Sequence, residues 1–124
     1  MELSLKRAEV IKTLLASGEE TIDLLRKHDR GRDAILLEIK KQCIHENKSD
    51  DPYGYPILNG EGINLKMIKI YEVRVEEDVI LCSDGYPEVC ATLAESEQVL
   101  AEILKADPLM IGQGQRSTKG WMKG

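Results

Sequence analysis

One carboxylate in this sequence stands where a metal ligand would be expected. Asp84, followed by Gly85, comes directly after the apolar run at residues 79–82, which is short enough to be a strand covered on both faces. Such a strand would fix the carboxylate at its surface end, and the glycine would let backbone carbonyls or a water approach a cation closely. Asp-Gly is also a common turn dipeptide, so the local pattern alone favours an ordinary turn.

Other acids and both histidines are better explained by local structure. The acidic pair at 50–51 and the acidic run at 76–78 lie in predicted loops, where solvation or turn formation accounts for them. His28 and His45 lie near predicted helix ends, where an imidazole can interact favourably with the last carbonyls. We assign none of these residues a catalytic role.

The cysteines indicate a reducing compartment. Cys43, Cys82 and Cys90 make an odd count without a CxxC pair, which is atypical of a disulfide framework or a zinc site. No histidine lies close in sequence to Cys82, and nothing local would lower the pKa of Cys90. We therefore expect a packing role for Cys82, an exposed but unactivated thiol at Cys90, and a cytoplasmic location.

Composition places the chain among ordinary globular domains and excludes two kinds of partner. Its 124 residues are 42% hydrophobic and 31% charged, which predicts one modest core. The net charge of -5 argues against a general nucleic-acid binder, since a basic face is needed to neutralise phosphates. No apolar run approaches the length of a membrane span, so we expect no membrane partner.

Hydrophobic periodicity predicts a helical first half, residues 1–46. Apolar residues at helical spacing indicate one helix over 3–15 and a third, longer helix from about 32 to 45. Between them, Ser17 followed by Glu20 forms a capping-box pattern that predicts the start of a short second helix.

The second half, residues 53–111, is predicted to hold strands and one helix. Extended patterns at 53–58, 67–73 and 79–82 predict antiparallel strands, the last of them at the centre of the core. A second capping box, Thr92 to Glu95, predicts a helix that ends near residue 107. Residues 112–124 are rich in glycine and polar groups and predict a flexible tail. The expected fold is therefore a single α+β domain.

Four sequence features recur together in one protein family. They are Ser-Asp-Gly-Tyr-Pro after the apolar run, at 83–87; Thr-Leu-Ala-Glu-Ser-Glu at 92–97; Asp-Pro-Leu at 107–109; and Ser-Thr-Lys-Gly at 117–120. With them, the stretch from residue 53 to residue 120 resembles the C-terminal part of bacterial proteins similar to type 2C, metal-dependent serine/threonine protein phosphatases. The helical region before residue 47 is compatible with the same family.

The resemblance implies a fold, a metal and a reaction. The fold would be part of an α/β/β/α sandwich, with clustered acids holding two Mg²⁺ or Mn²⁺ ions and a metal-bound water attacking a phosphate ester. Asp84 and Gly85 match the family's metal-binding corner. The family's other metal-binding acids come from a strand near the start of the domain and from a closing strand after the Ser-Thr-Lys-Gly loop, and this chain has no counterpart of either. We therefore expect an incomplete phosphatase-like domain, inactive as this chain, with at most a weak metal site.

The alternative is a non-catalytic interaction or regulatory module. A sheet that lacks its neighbouring strands exposes unpaired edges, and such edges are usually covered by a partner or by self-association. On this interpretation the chain forms a homo-oligomer or receives the missing strands from another chain.

Overall fold

The computed structural model of the chain is built from helices and irregular segments, and it describes residues 3–60, 62–82, 86–113 and 117–120. The α-helices in these ranges are α1 (Leu3–Ser17), α2 (Ile22–Lys27), α3 (Arg30–Lys41) and α4 (Leu93–Ala106). Two short 3-10 helices span Gln42–His45 and Leu65–Met67. The chain divides into a smaller unit, Glu38–Val79, and a larger unit made of Met1–Leu37 and Ile80–Gly124.

The first helix is confirmed, but the second begins later than predicted. After α1, Gly18 adopts a φ of +75°, a left-handed conformation that glycine tolerates and that commonly ends helices. The Ser17 hydroxyl donates back to the carbonyl of Leu14 at 3.1 Å and does not cap α2. Thr21 caps it instead, because its hydroxyl oxygen accepts a hydrogen bond from the N–H of Leu24 at 3.3 Å.

The third predicted helix is confirmed with shifted ends. Helix α3 begins at Arg30, where the carboxylate of Asp29 accepts a hydrogen bond from the N–H of Arg32 at 2.9 Å. This is the position and contact of an N-cap residue. The α-helix ends at Lys41, and the chain then tightens into the 3-10 helix that reaches His45.

Helix α4 begins as predicted. The Thr92 hydroxyl accepts from the N–H of Glu95 at 3.2 Å, and the Glu95 carboxylate accepts from the N–H of Thr92 at 3.0 Å. These reciprocal bonds form the capping box expected from the sequence. The helix ends at Ala106, where Asp107 and the following proline stop it.

The larger unit has a small aliphatic core contributed by α1, α2 and the segment after α4. Its buried members are Ile11, Leu14, Leu25 and Leu109, with Val10, Leu15 and Ile111 packed against them. Helix α3 approaches α1 through a glycine, because a Cβ at Gly31 would lie only 2.6 Å from Cγ1 of Ile11. The absence of a side chain at position 31 therefore sets how closely these two helices pack.

The α+β fold with antiparallel strands, resembling part of an α/β/β/α sandwich, was a wrong prediction. In the described ranges the chain forms no sheet, and the one β-type contact is an isolated parallel bridge between Glu46 and Tyr55. The side chain of Asn47 accepts from the N–H of Ile57 and donates to its carbonyl, which occupies backbone groups that a sheet ladder would use. Within the part of the chain that the structure describes, residues 67–73 have no neighbouring strand to pair with, and single strands are unstable in water.

The prediction that residues 79–82 form the centre of the core was also wrong. Val79, Ile80 and Leu81 are exposed, and so is Cys82. Continuous apolar residues are typical of a buried strand only when sheets or helices cover both faces, and here no described element does so. None of the described helices is long and apolar enough to cross a membrane.

Candidate functional site

The predicted metal corner cannot be compared with the structure, because Asp84 and Gly85 lie outside the described residues. Next to the corner, the Tyr86 hydroxyl donates a short hydrogen bond to the carboxylate of Glu97. This bond is the main reason that the pKa of Tyr86 is raised above its usual value. Among the described residues, no group of three or more His, Cys, Asp or Glu side chains is placed to hold a metal ion. The metal-dependent phosphatase hypothesis therefore stays a prediction.

Both histidines, and acids in each of the two acidic stretches that the sequence assigned to structural roles, have local partners. His28 pairs with Asp33 at 2.7 Å on the surface of the larger unit. In the acidic run, the Glu77 carboxylate accepts from the N–H of Arg74 at 3.1 Å, and the Glu77 N–H donates to the Arg74 carbonyl at 3.1 Å. These two bonds close a turn, in keeping with the role expected for that run.

His45 and Asp51 organise the polar loop of the smaller unit. His45 Nδ1 lies 2.6 Å from Oδ2 of Asp51, while Oδ1 of Asp51 accepts from the N–H of Tyr53 at 2.8 Å. The hydrogen bond to His45, followed by the one to Tyr53, lowers the pKa of Asp51. The loop folds back tightly enough that a Cβ at Gly54 would collide with the Lys48 carbonyl. Its polar groups bind one another, so the arrangement holds the loop closed.

The surroundings of Cys43 disfavour a nucleophilic role for this thiol. A hydrogen bond from Cys43 to Glu46, and the negative charge of that carboxylate, raise the pKa of the Cys43 thiol. A raised pKa leaves less of the reactive thiolate at neutral pH. The same carboxylate accepts a hydrogen bond from the Tyr55 hydroxyl at 3.3 Å. Burial, with Glu46 as a second cause, raises the pKa of Tyr55.

A network of hydrogen bonds in the larger unit centres on Arg7, a residue for which the sequence predicted no special role. Its side chain is 1% exposed, and both Nε and Nη2 lie 2.9 Å from Oδ2 of Asp29. Nη2 also donates to the Leu109 carbonyl at 2.8 Å, and Nη1 donates to the carbonyls of Met110 and Ser117 at 3.2 and 3.1 Å. All five donors of the guanidinium therefore have acceptors.

Asp29 extends this site to the end of the described chain. The oxygen that binds Arg7 also accepts from the N–H of Gly120 at 3.0 Å, and the guanidinium of Arg32 donates to the Thr118 carbonyl at 3.0 Å. The acceptors of Arg7 are one carboxylate and backbone carbonyls, so no donor remains for a ligand. We conclude that this site fixes the segment after α4 against α1 and α3, and that it is structural. Nothing in the sequence around Arg7 distinguishes this buried arginine from an arginine on the surface of a helix.

An apolar surface lies in the smaller unit. We define the exposed segment as residues 68–75, in which the apolar side chains are Ile68, Ile70, Tyr71, Val73 and Val75. All five are exposed: Ile70 is 89%, Tyr71 77% and Val75 100% accessible. Contiguous exposed apolar side chains of this kind mark interaction surfaces in soluble proteins.

Much of the backbone of the exposed segment lacks hydrogen-bond partners among the described residues. The backbone groups of residues 69–73 make no hydrogen bond to any described residue. On one side of them, the Ile68 N–H donates to the Leu65 carbonyl, and on the other, Arg74 forms a turn with Glu77. Unpaired N–H and C=O groups beside β-branched side chains form a template for a further strand. The segment is therefore suited chemically to strand pairing.

No protein-family model matches the chain, and neither a curated protein nor a solved structure matches it.

Proposed function

We propose that this chain is a non-catalytic interaction module that associates with another polypeptide by adding a strand at the exposed segment, residues 68–75. The observation that carries the proposal is the coincidence, in one segment, of exposed apolar side chains with unpaired backbone groups. Strand addition satisfies both, because main-chain hydrogen bonds supply affinity and alternate side chains enter the partner's surface. The sequence led us to expect that an interaction module would pair through the edges of a sheet. The proposal made here does not require a sheet.

The chemistry of the remaining sites supports a role without catalysis. The Arg7 guanidinium has all of its donors occupied, and the carboxylate of Asp51 is bound to His45 and to the N–H of Tyr53. General acid–base or nucleophilic catalysis needs a group that is free to meet a substrate. Occupied groups of this kind stabilise the fold of the unit in which each lies and are not available to a substrate.

We also propose a reducing compartment such as the cytoplasm. Cys43 and Cys82 are exposed, Cys90 is partly exposed, and none of the three forms a disulfide. Exposed free thiols persist where glutathione and thioredoxin systems keep them reduced. Thiol labelling of the protein directly after rapid acid quenching of its native cells would test this: labelled cysteines are expected, and oxidised ones would contradict the proposal.

Site-specific photo-crosslinking tests the module. The photoreactive residue p-benzoylphenylalanine replaces Tyr71 in one sample and Tyr53 in the other. The two tyrosines are 77% and 75% exposed, and Tyr53 lies outside the exposed segment, so the pair is matched in residue type and accessibility. Irradiation in the native cell is expected to give a discrete adduct from position 71 and none from position 53. No adduct at position 71, or equal adducts at both positions, would overturn the proposal.

A further inference from the structure

We infer that the strand added to the exposed segment is the same segment of a second copy of this chain, antiparallel, with Val73 of one copy opposite Val73 of the other. The inference rests on the proposed function, because it names the polypeptide to which the segment pairs. Two observations carry it: the order of charges along the segment, and the backbone groups that the neighbouring turn already occupies.

Two-fold symmetry restricts how two identical strands can pair. In an antiparallel pair, residues directly opposite each other point to the same face, so a symmetric register must be centred on one residue. Centring on Val73 sets Glu72 of each copy opposite Arg74 of the other, and Tyr71 opposite Val75. Opposite charges and aromatic–β-branched pairs both stabilise adjacent strands. The register therefore joins two ion pairs and two apolar pairs around the axis.

Neighbouring registers lose this complementarity. Centring on Glu72 sets two carboxylates opposite each other, and centring on Lys69 or on Arg74 does the same with two cations. Like charges directly opposite are destabilising. Centring on Tyr71 sets Glu72 opposite Ile70, so the charged side chain has an apolar neighbour across the pair. Among these registers, charge complementarity selects the one centred on Val73.

The turn at residues 74–77 leaves Val73 available for pairing and limits how far the paired strands extend while it is closed. The N–H of Arg74 is bonded to the Glu77 carboxylate and its carbonyl to the Glu77 N–H, whereas Val73 has both backbone groups unpaired among the described residues. Val73 can therefore exchange both N–H···O bonds with its counterpart, which makes the adjacent Glu72–Arg74 pairs non-hydrogen-bonded ones. In such pairs the Cα atoms are about 4.5 Å apart and the side chains are closer. Pairing at residues 72–74 leaves the turn closed, whereas Val75 lies inside the turn and meets Tyr71 of the other copy only when the turn opens.

The two faces of the paired strands differ in character. Tyr71 and Val73 of both copies share one face, which Val75 joins when the turn opens, and Glu72 with Arg74 lie on the other. The apolar face gathers side chains that are exposed in the single chain. A two-stranded ribbon is only marginally stable in water, so the association is expected to be weak and concentration-dependent.

Charge reversal tests the register. Sedimentation equilibrium of the full chain from about 10 μM to about 1 mM measures the dimer constant. Glu72→Arg sets two Arg–Arg pairs across the axis, and Arg74→Glu sets two Glu–Glu pairs, so each variant alone is expected to dimerise about tenfold more weakly. Mixed in equal amounts, the two variants form Arg–Glu pairs and are expected to regain wild-type affinity. Lys48→Glu, an exposed charge reversal outside the segment, is the control and should leave the constant unchanged.

The outcomes separate this inference from the proposed function. A mixture that associates as weakly as each variant alone would overturn the register. Wild-type protein that stays monomeric to about 1 mM would overturn the second copy as the partner. In either case the crosslinking from position 71 decides the module independently: an adduct of that position with a different protein would keep the module and reject the second copy.

Discussion

Arg7 and Asp29 form an ion pair at 2.9 Å in which both side chains are buried. The pair joins α1 to the residue that caps α3, and the same guanidinium binds backbone carbonyls of Leu109, Met110 and Ser117. Charge-assisted hydrogen bonds of this kind are stronger than neutral ones, and a planar guanidinium presents its donors in a fixed arrangement. One side chain therefore connects the start of the described chain with its last segment.

Replacing Arg7 should destabilise the larger unit strongly. Arg7→Ala leaves the Asp29 carboxylate and three carbonyls buried without their donor, and removing one partner of a buried pair costs about 3–5 kcal/mol. Arg7→Lys keeps the charge but lacks the donor geometry, so it should recover only part of the loss. Urea unfolding followed by circular dichroism measures both.

The matched control for this prediction is Arg30→Ala. Arg30 pairs with Glu20 at 3.0 Å, but its side chain is 46% exposed, so the free energy of unfolding should change by less than about 1 kcal/mol. Equal losses for Arg7→Ala and Arg30→Ala would contradict the structural role of the buried pair.

Gly31→Ala should loosen the contact between α1 and α3. The new Cβ would lie 2.6 Å from Cγ1 and 2.8 Å from Cδ1 of Ile11, so one of the two helices must shift. Overpacking of this kind costs about 1–3 kcal/mol in the free energy of unfolding. Gly62→Ala, where a Cβ meets no atom within 4 Å, is the control and should be near neutral.

A double-mutant cycle identifies the contact responsible. Because Ile11→Ala removes both Cγ1 and Cδ1, Gly31→Ala should be less costly in that background than in the wild type. Strictly additive effects would indicate that the cost of Gly31→Ala arises elsewhere in the helix.

The loop of His45 and Asp51 should open in acid. Hydrogen bonds from His45 and from the N–H of Tyr53 lower the pKa of Asp51 below its ordinary value of 3.8. A carboxyl whose folded pKa is depressed stabilises the folded loop above its unfolded pKa and loses that contribution as pH falls through the lowered value. The transition is therefore expected below about pH 4.

Proton exchange of the Tyr53 amide, followed by NMR from neutral to acidic pH, measures this opening. Asp51→Asn should abolish the acid-dependent change in protection, while Asp50→Asn, which alters a neighbouring exposed acid, should preserve it. Retention of the transition in Asp51→Asn would show that another group causes it.

The phosphatase-like expectation makes its own prediction for metal binding. If Asp84 is the one acid that matches the family's metal site, as the resemblance implies, calorimetric titration with Mn²⁺ should show no tight binding, and a phosphate-ester substrate should not be turned over. Asp84→Asn should behave like the wild type in both assays. Tight binding or turnover that is lost in Asp84→Asn would establish a metal centre and reject the expectation of inactivity.

Helices could be predicted from this sequence because their signals are local. The reciprocal bonds of Thr92 and Glu95 lie within one turn, and the periodicity of α1 and α3 requires only the spacing of apolar residues. At the start of α2, Ser17 and Thr21 are both acceptable caps, and the left-handed Gly18 places Ser17 at the end of α1. Spacing alone could not choose between the two caps.

The lack of a sheet among the described residues and the burial of Arg7 both depend on distant residues, so neither could be predicted in this way. Residues 79–82 are apolar enough for a core strand, but their exposure is decided by whether another element covers them. Burial of Arg7 depends on Asp29 and on carbonyls that follow α4, and neither partner is marked by a motif near residue 7. Residues 67–73 were predicted to form a strand, and this prediction was wrong because no described element lies beside them to pair with.

The contacts of Arg7 also bear on how the larger unit is assembled during synthesis. The arginine emerges from the ribosome with the first helix, but its carbonyl acceptors lie 102, 103 and 110 positions later in the sequence. Until those residues have been translated, the Arg7 side chain on α1 lacks these acceptors and stays hydrated. Contacts between such remote positions slow folding, because a long loop must close before they form. The larger unit is therefore expected to complete its folding after translation of residue 117, in a late step that depends on the closing of the whole chain.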